Sequence, residues 1–154
     1  MVIKPSELSS RDDSALLGMQ RRELDALFAE SQPGDVPIGV LDGTAVLFPG
    51  HGVSRAIAAV VKKLFWRGKV VEPTGHALRN RVTPLDVRAV PAAVYPGESR
   101  VDGRPCVVLD YSVTSMIASG VRDEIRLVAP GLYLGVIWLY GRRVGWFTLR
   151  IRTP

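Results

Sequence analysis

Between Val107 and Leu149 the chain reads VVLDYSVTSMIASGVRDEIRLVAPGLYLGVIWLYGRRVGWFTL: long β-branched and aromatic runs into which charges and hydroxyls are set a few at a time. Runs of this kind build strands, and polar groups embedded in them stand against an interior that is otherwise apolar. The stretch predicts a curved antiparallel sheet or a barrel. Alternation along LYLGVIWLY puts Tyr133, Gly135, Ile137 and Leu139 on one face, and Leu132, Leu134, Val136, Trp138 and Tyr140 on the other. The first face is the expected interior, because Gly135 leaves room beside Tyr133.

Ahead of this stretch the chain is helix first, then strands. Leu16, Leu17, Leu24, Leu27 and Phe28 recur near helical spacing, which predicts one amphipathic helix from Ser6 to Glu30, stopped by Gln32, Pro33 and Gly34. The glycines and prolines of PIGVLDGTAVLFPGHG bracket a short strand, Thr44 to Phe48. A second helix is expected from Ser54 to about Trp66, since Ile57, Val60, Val61, Leu64 and Phe65 share one helical face and Gly68 ends it. From Lys69 onward, short β-type segments follow, with Asp102-Gly103 and Gly141-Arg142 as hairpin turns. Pro91 calls for an edge, a bend or a bulge in its segment. Residues 112–128 fit a helical face or a strand. The expected class is mainly β with N-terminal helices: a helical segment, 1–35, forming one globular domain with a barrel, 36–154.

A meander of antiparallel strands removes its unpaired edges by closing, and the inside of a small barrel is a natural place for a small molecule. A barrel filled by its own side chains is the competing expectation. At 154 residues the chain buries enough surface to fold without staples. Its one cysteine, Cys106, lies in the apolar run PCVVL and reads as an inert core thiol, as a reducing compartment allows. No apolar run approaches the roughly 18 residues of a membrane span, and the N-terminus has no signal-peptide core, so the cytoplasm is the expected location. The net charge of +5 hides an asymmetry: residues 1–42 carry four basic and eight acidic groups, and the remainder sixteen basic and seven acidic. The arginines are scattered, and several flank acids as in RDEIR, which argues for self-paired charges over a nucleic-acid surface.

The order of GVLDG at 39–43, FWRGK at 65–69, LDYS at 109–112, IRLVAPGLYLG at 125–135 and WFTL at 146–149 resembles bacterial lipocalin-like proteins of the GXWXG type with their companion domain of unknown function. The likeness spans about residues 36–151. Trp66, Gly68 and Lys69 match its Trp-x-Gly-Lys turn, and Ile125-Arg126 stands where that pattern has Phe-Arg. Leu41 replaces the signature tryptophan, the acidic pair is reordered as Asp110-Tyr111, and extra residues separate Asp110 from Arg126. The resemblance implies a calycin-like antiparallel β-barrel with a lipophilic pocket, and no defined activity.

Asp110, Tyr111, Ser112, Thr114 and Ser115 form the densest polar cluster beside an apolar strand. If Asp110 points inward, burial raises its pKa and makes it a candidate general base, unless Arg122 or Arg126 pairs with it and keeps it ionised. Pairing is the favoured expectation. The candidate pocket residues are Trp66, Lys69, Tyr111, Ser115, Tyr133, Trp138 and Trp146, with Arg122 and Arg126 as a clamp for an anionic group should RDEIR face the pocket. His51 and His76 have no companions at metal-ligand spacing, so no metal site is expected, and no motif asks for a cofactor. The leading expectation is a binding protein for a small hydrophobic, optionally anionic, molecule. An isomerase or cyclase acting on a lipophilic metabolite in the same pocket, and an oligomeric interaction domain such as a homodimer, stay open beside it.

Overall fold

The β-rich part of the chain forms eight strands that pair in sequence order. The computed structural model describes residues 15–16, 18–47, 69–71, 73–81, 88–112 and 120–152. The strands are β1 (Gly39–Leu47), β2 (Lys69–Val71), β3 (Ala77–Arg81), β4 (Arg88–Glu98), β5 (Pro105–Asp110), β6 (Val121–Ala129), β7 (Leu132–Leu139) and β8 (Arg142–Ile151). Each is antiparallel to the next, and β8 returns to pair with β1 from Leu41 opposite Ile151 to Leu47 opposite Gly145, closing the barrel. Among the described strands each has a neighbour on both sides.

Alternation sorts the side chains of this wall into two apolar layers. Leu41, Val71, Val94, Leu109, Ile125, Ile137 and Phe147 come from seven different strands yet form one buried cluster, which is the barrel interior. Leu132, Leu134, Val136 and Trp146 occupy the opposite face and pack with Leu24, Leu27 and Phe28 of the helix α1 (Arg21–Glu30). The helix thus lies on the outside of β6–β8. Phe28 is fully buried there, edge-on to Trp146 at 5.8 Å between ring centroids. Burying such a side chain contributes about 1.5–3 kcal/mol. An ion pair between Arg143 and Asp25 ties β8 to the helix, with the guanidinium 4.2 Å from the centre of the Trp146 ring.

Several sequence expectations are corrected. The helix does not run unbroken from Ser6: Ala15 and Leu16 are helical, Gly18 and Met19 make a turn, and α1 starts afresh where the Gln20 N–H donates to the Glu23 carboxylate at 2.7 Å. It ends where the Ser31 hydroxyl donates to the Leu27 carbonyl at 2.6 Å. Strand β1 begins five residues before the expected Thr44 and takes in Gly39 and Gly43, read from sequence as breaks. Gly43 is held by pairing with Leu149, a tertiary constraint that local propensity does not register. The β7–β8 turn centres on Tyr140 and Gly141, whose φ of 47° and 78° are the left-handed pair that a two-residue hairpin needs, one residue ahead of the expected turn. Asp102-Gly103 lies within a longer loop between Glu98 and Pro105. Pro91 sits at a bulge: Arg79 faces Pro91 while Asn80 faces Ala89, leaving Val90 as the extra residue. Of residues 112–128, those from Val121 onward are strand β6. The expected helix from Ser54 to Trp66 lies outside the described residues. Among the described residues no helix is long and apolar enough to cross a membrane.

The two barrel ends differ. At one, residues 32–38 run against the strand ends. The Leu127 N–H donates to the Gln32 carbonyl at 2.9 Å, the Tyr133 hydroxyl donates to the Asp35 carbonyl at 2.6 Å, and Val36 packs onto the interior cluster. At the other, β1, β3 and β5 finish and β2, β4 and β6 begin, so the connections 48–68, 82–87 and 113–119 all leave from that end. The first is called here the stoppered end and the second the loop end.

Candidate functional site

The interior wall is set by which residues alternate inward on each strand. On β7 these are Tyr133, Gly135, Ile137 and Leu139, the face expected from sequence. The space beside Gly135 is occupied, however: a Cβ there would stand 2.2 Å from the Phe147 ring, which lies opposite on β8. Glycine is needed so that Phe147 can fill the stoppered half, and the room read beside Tyr133 belongs to the core. Toward the loop end the inner side carries Ala92, Val94, Val121, Val144 and Gly145 together with the larger Tyr111 and Leu139.

On β6 the inward set is Val121, Asp123, Ile125 and Leu127. Val121 and Ile125 belong to the interior cluster, and Asp123 lies between them, fully buried. It is opposite Leu109 on β5 and Ile137 on β7, and that row continues through Val94 and Gly145. A carboxyl group therefore sits in a row of apolar side chains, in the half of the barrel that faces the loop end. Among the described residues it is the one buried carboxyl at an inward position. Sequence reasoning placed RDEIR on a salt-bridged surface with Ile125 inward, and alternation from Ile125 brings Asp123 inward with it. The signal for this residue is thus present in the sequence.

Arg122, Glu124 and Arg126 face outward, and this corrects their assignment as an anion clamp in the pocket. Arg126 is 1% exposed beneath α1 and the β4–β5 loop, and all five of its N–H groups are engaged. Nε donates to the Pro105 carbonyl at 3.0 Å. Nη1 donates to the Phe28 carbonyl at 2.9 Å and to Asp102 at 2.7 Å, and Nη2 donates to Asp102 at 2.7 Å and to the Arg104 carbonyl at 3.1 Å. Its plane also covers the Phe28 ring at 4.4 Å. With no donor to spare it cannot bind a ligand without breaking this assembly. The Arg126 guanidinium holds the Asp102 carboxyl well below the usual carboxylate range. Glu124 accepts from the Ser99 hydroxyl at 2.6 Å, the Arg100 N–H at 2.9 Å and Arg122 Nε at 3.2 Å. Arg122 also donates to the Glu98 carbonyl at 2.8 Å.

Asp110 is corrected on both counts. It alternates with Leu109 and Tyr111, which face in, so it faces out of the barrel and is no pocket base. It makes no ion pair with Arg122 or Arg126, although Arg122 is its cross-strand neighbour. Its carboxylate accepts instead from the Ser112 hydroxyl at 2.6 Å, the Ser112 N–H at 2.9 Å and the Tyr95 hydroxyl at 2.7 Å. Partial burial pushes its pKa up, but these hydrogen bonds outweigh it and leave the carboxyl below its ordinary value. The Tyr95 phenol is raised by burial and by this bond, so it stays protonated. A held carboxylate with a short turn folded on it is structural chemistry.

The remaining candidates separate in the same way. Tyr111 and Tyr133 are interior residues. The Tyr133 hydroxyl serves the stoppered end, and burial pushes its pKa up to about 12. Trp138 and Trp146 lie on the outer face against α1 rather than in a pocket, a second correction. Lys69 holds the register position on β2 opposite Leu41 and Asn80. Trp66 and Ser115, like His51 and Thr114, lie outside the described residues. Cys106 is buried on the outer side of β5, where burial pushes its thiol up to about 12, so it is unreactive. Among the described residues no three His, Cys, Asp or Glu side chains come together to hold a metal ion.

No family model and no curated protein matches this chain. Among solved structures, a protein from Thermomonospora curvata is similar over 94% of this chain and 98% of that one, with a TM-score of 0.63 at 16% sequence identity. A likeness at that identity is one of fold.

Proposed function

We propose that this protein is a lipocalin-like binding protein that holds a small hydrophobic molecule inside its barrel. The observation that carries the reading is the asymmetry of the barrel. The stoppered half is filled by Phe147, Tyr133 and the inserted Val36, while toward the loop end the row through Val94, Leu109, Asp123, Ile137 and Gly145 has a glycine and a carboxyl group among its inward positions, below Tyr111 and Leu139 at the strand ends. An eight-stranded up-and-down ring closed at one end is the architecture in which other small barrels hold one apolar ligand. Each methylene taken from water into such an interior contributes about 0.8 kcal/mol, so a chain of ten or so carbons suffices for useful affinity. The isomerase or cyclase alternative loses the base that the sequence offered for it, because Asp110 lies outside the barrel and is held ionised.

The test is a calorimetric titration with dodecanol, together with native mass spectrometry of the purified protein. Saturable binding of one molecule per chain, or a co-purifying adduct of lipid-like mass, is expected. A barrel that takes up no dodecanol and carries no adduct overturns the reading. The emission of Trp138 and Trp146 is a poor reporter here, since both face away from the interior, and Trp66 lies outside the described residues.

A further inference from the structure

We infer that the loop end of the barrel docks on an anionic lipid surface, with Tyr140 seated at the membrane interface and Arg142 against the lipid phosphates. This surface is separate from the proposed interior pocket, and neither depends on the other. Tyr140 is 72% exposed, the most exposed large hydrophobic among the described residues. It sits in the two-residue turn between β7 and β8 with a φ of 47°, and among the described residues no other non-glycine has a positive φ. Glycine, asparagine and aspartate take such positions readily, whereas a bulky aromatic does so only at a cost. The ring is nevertheless held in place. The Tyr140 N–H donates to the Gly120 carbonyl at 2.8 Å, and a Cβ on Gly120 would stand 2.5 Å from the Tyr140 ring. Glycine just ahead of β6 thus provides the seat for a ring that still shows most of its surface to solvent. A side chain kept in a strained turn, fixed and exposed, has its use outside the fold.

Charge identifies the partner. Arg142 is exposed directly after the turn. At the same end β2 and β4 begin with Lys69 and Arg88, and β3 finishes with Arg81. The connections 48–68, 82–87 and 113–119 carry Arg55, Lys62, Lys63 and Arg67 against a single acid, Asp86. At the stoppered end the connections 72–76, 99–104 and 130–131 carry Arg100 and Arg104 against Glu72 and Asp102, which balance. The basic excess of the chain therefore gathers at the end that bears the exposed tyrosine. Nucleic acid also attracts basic charge, but here the sequence interleaves it with apolar and aromatic residues, as in KKLFWR at 62–67, and that mixture suits a membrane–water interface. At such an interface a tyrosine buries its ring at headgroup level and keeps its hydroxyl hydrated. Each lysine or arginine near an anionic surface strengthens attachment roughly fivefold.

The test is flotation of the intact chain with vesicles of phosphatidylcholine alone and with vesicles of equal parts phosphatidylcholine and phosphatidylserine. Binding to the mixed vesicles and not to phosphatidylcholine alone is expected, weakening as salt is added. Tyr140→Asn places in the turn a residue that accepts the left-handed conformation, so it should fold at least as stably as the parent while binding the mixed vesicles at least threefold more weakly. A merely structural tyrosine would not lose binding while the fold gains. Arg142→Gln should weaken binding roughly fivefold. Ile38→Asn, which removes the half-exposed apolar side chain of the opposite end, should leave binding as it is. Absence of binding to the mixed vesicles overturns the inference. Unchanged binding in both Tyr140→Asn and Arg142→Gln, or an equal loss in Ile38→Asn, overturns the loop end as the docking face. Binding to a DNA duplex that falls in the same two variants, with none to vesicles, assigns the face to nucleic acid and overturns it as well.

Discussion

The two faces of β6 carry their charges in opposite ways. On the outer face Arg122, Glu124 and Arg126 are joined to Asp102, Ser99 and the carbonyls of Phe28, Glu98, Arg104 and Pro105, so that one strand, one loop and one helix end are locked together. On the inner face Asp123 lies in a row with Leu109 and Ile137, between Val121 and Ile125 of its own strand. Burying a charge is costly unless hydrogen bonds offset it, and the outer network is arranged to do so. The difference teaches that burial of a charged residue is not by itself a sign of function. What a buried charged side chain touches has to be known before a role is given to it.

The comparison can be broken most forcefully at Arg126. Arg126→Met should destabilise the fold by about 3 kcal/mol, toward the low end for breaking a buried pair because the Asp102 side chain is 21% exposed. Urea unfolding followed by circular dichroism measures it, and a loss of less than 1 kcal/mol would show that the latch is ornamental. The same pair sets an acid limit. Because the folded-state pKa of Asp102 is depressed, its contribution is complete above the unfolded carboxyl range, about 4, and fades as the pH falls from there toward the folded value. Asp110 acts in the same direction. The parent should lose stability below about pH 4, and Arg126→Met should lose less over that interval, since it no longer holds Asp102 ionised.

Gly135→Ala addresses the filled half of the interior. Its Cβ would collide with the Phe147 ring, and overpacking of this kind costs about 1–3 kcal/mol. Combining it with Phe147→Leu should recover part of that loss in a double-mutant cycle, whereas strict additivity would mean that the two residues are not coupled. Asp110→Asn should have the smallest effect, about 1 kcal/mol or less, because the amide oxygen can still accept from Ser112 while the amide NH2 in the place of the other oxygen can donate to the Tyr95 hydroxyl. A loss several times larger would indicate that the carboxylate charge matters to the fold after all.

Much of this architecture is legible in the sequence, and the limits have physical causes. Alternation on β7 identifies the interior correctly because every residue from Leu132 to Leu139 obeys the period of two. The small volume of Gly135 is legible too, but its use is not: only the pairing with β8 reveals that Phe147 fills it. Asp110 resembles a site because it sits in a dense polar cluster, yet the cluster folds back on itself through Ser112, a local turn that composition cannot distinguish from a pocket rim. Arg126 is rightly singled out by sequence as a residue that grips carboxylates, and its partner is Asp102, in a loop 24 residues earlier, rather than Asp110. Strand pairing and loop closure decide such partners, and neither can be read from a one-dimensional pattern.

The claim that the interior of this barrel binds while its outer layer only supports can be tested by methyl NMR during a titration with dodecanol. Ile125, Ile137 and Leu109 report on the inner wall, and Leu132, Leu134 and Val136 on the layer beneath α1. Saturable shifts confined to the first group, strongest at Leu109 and Ile137 on either side of Asp123, are the predicted result. Shifts confined to the second group, or none in either, would contradict the account.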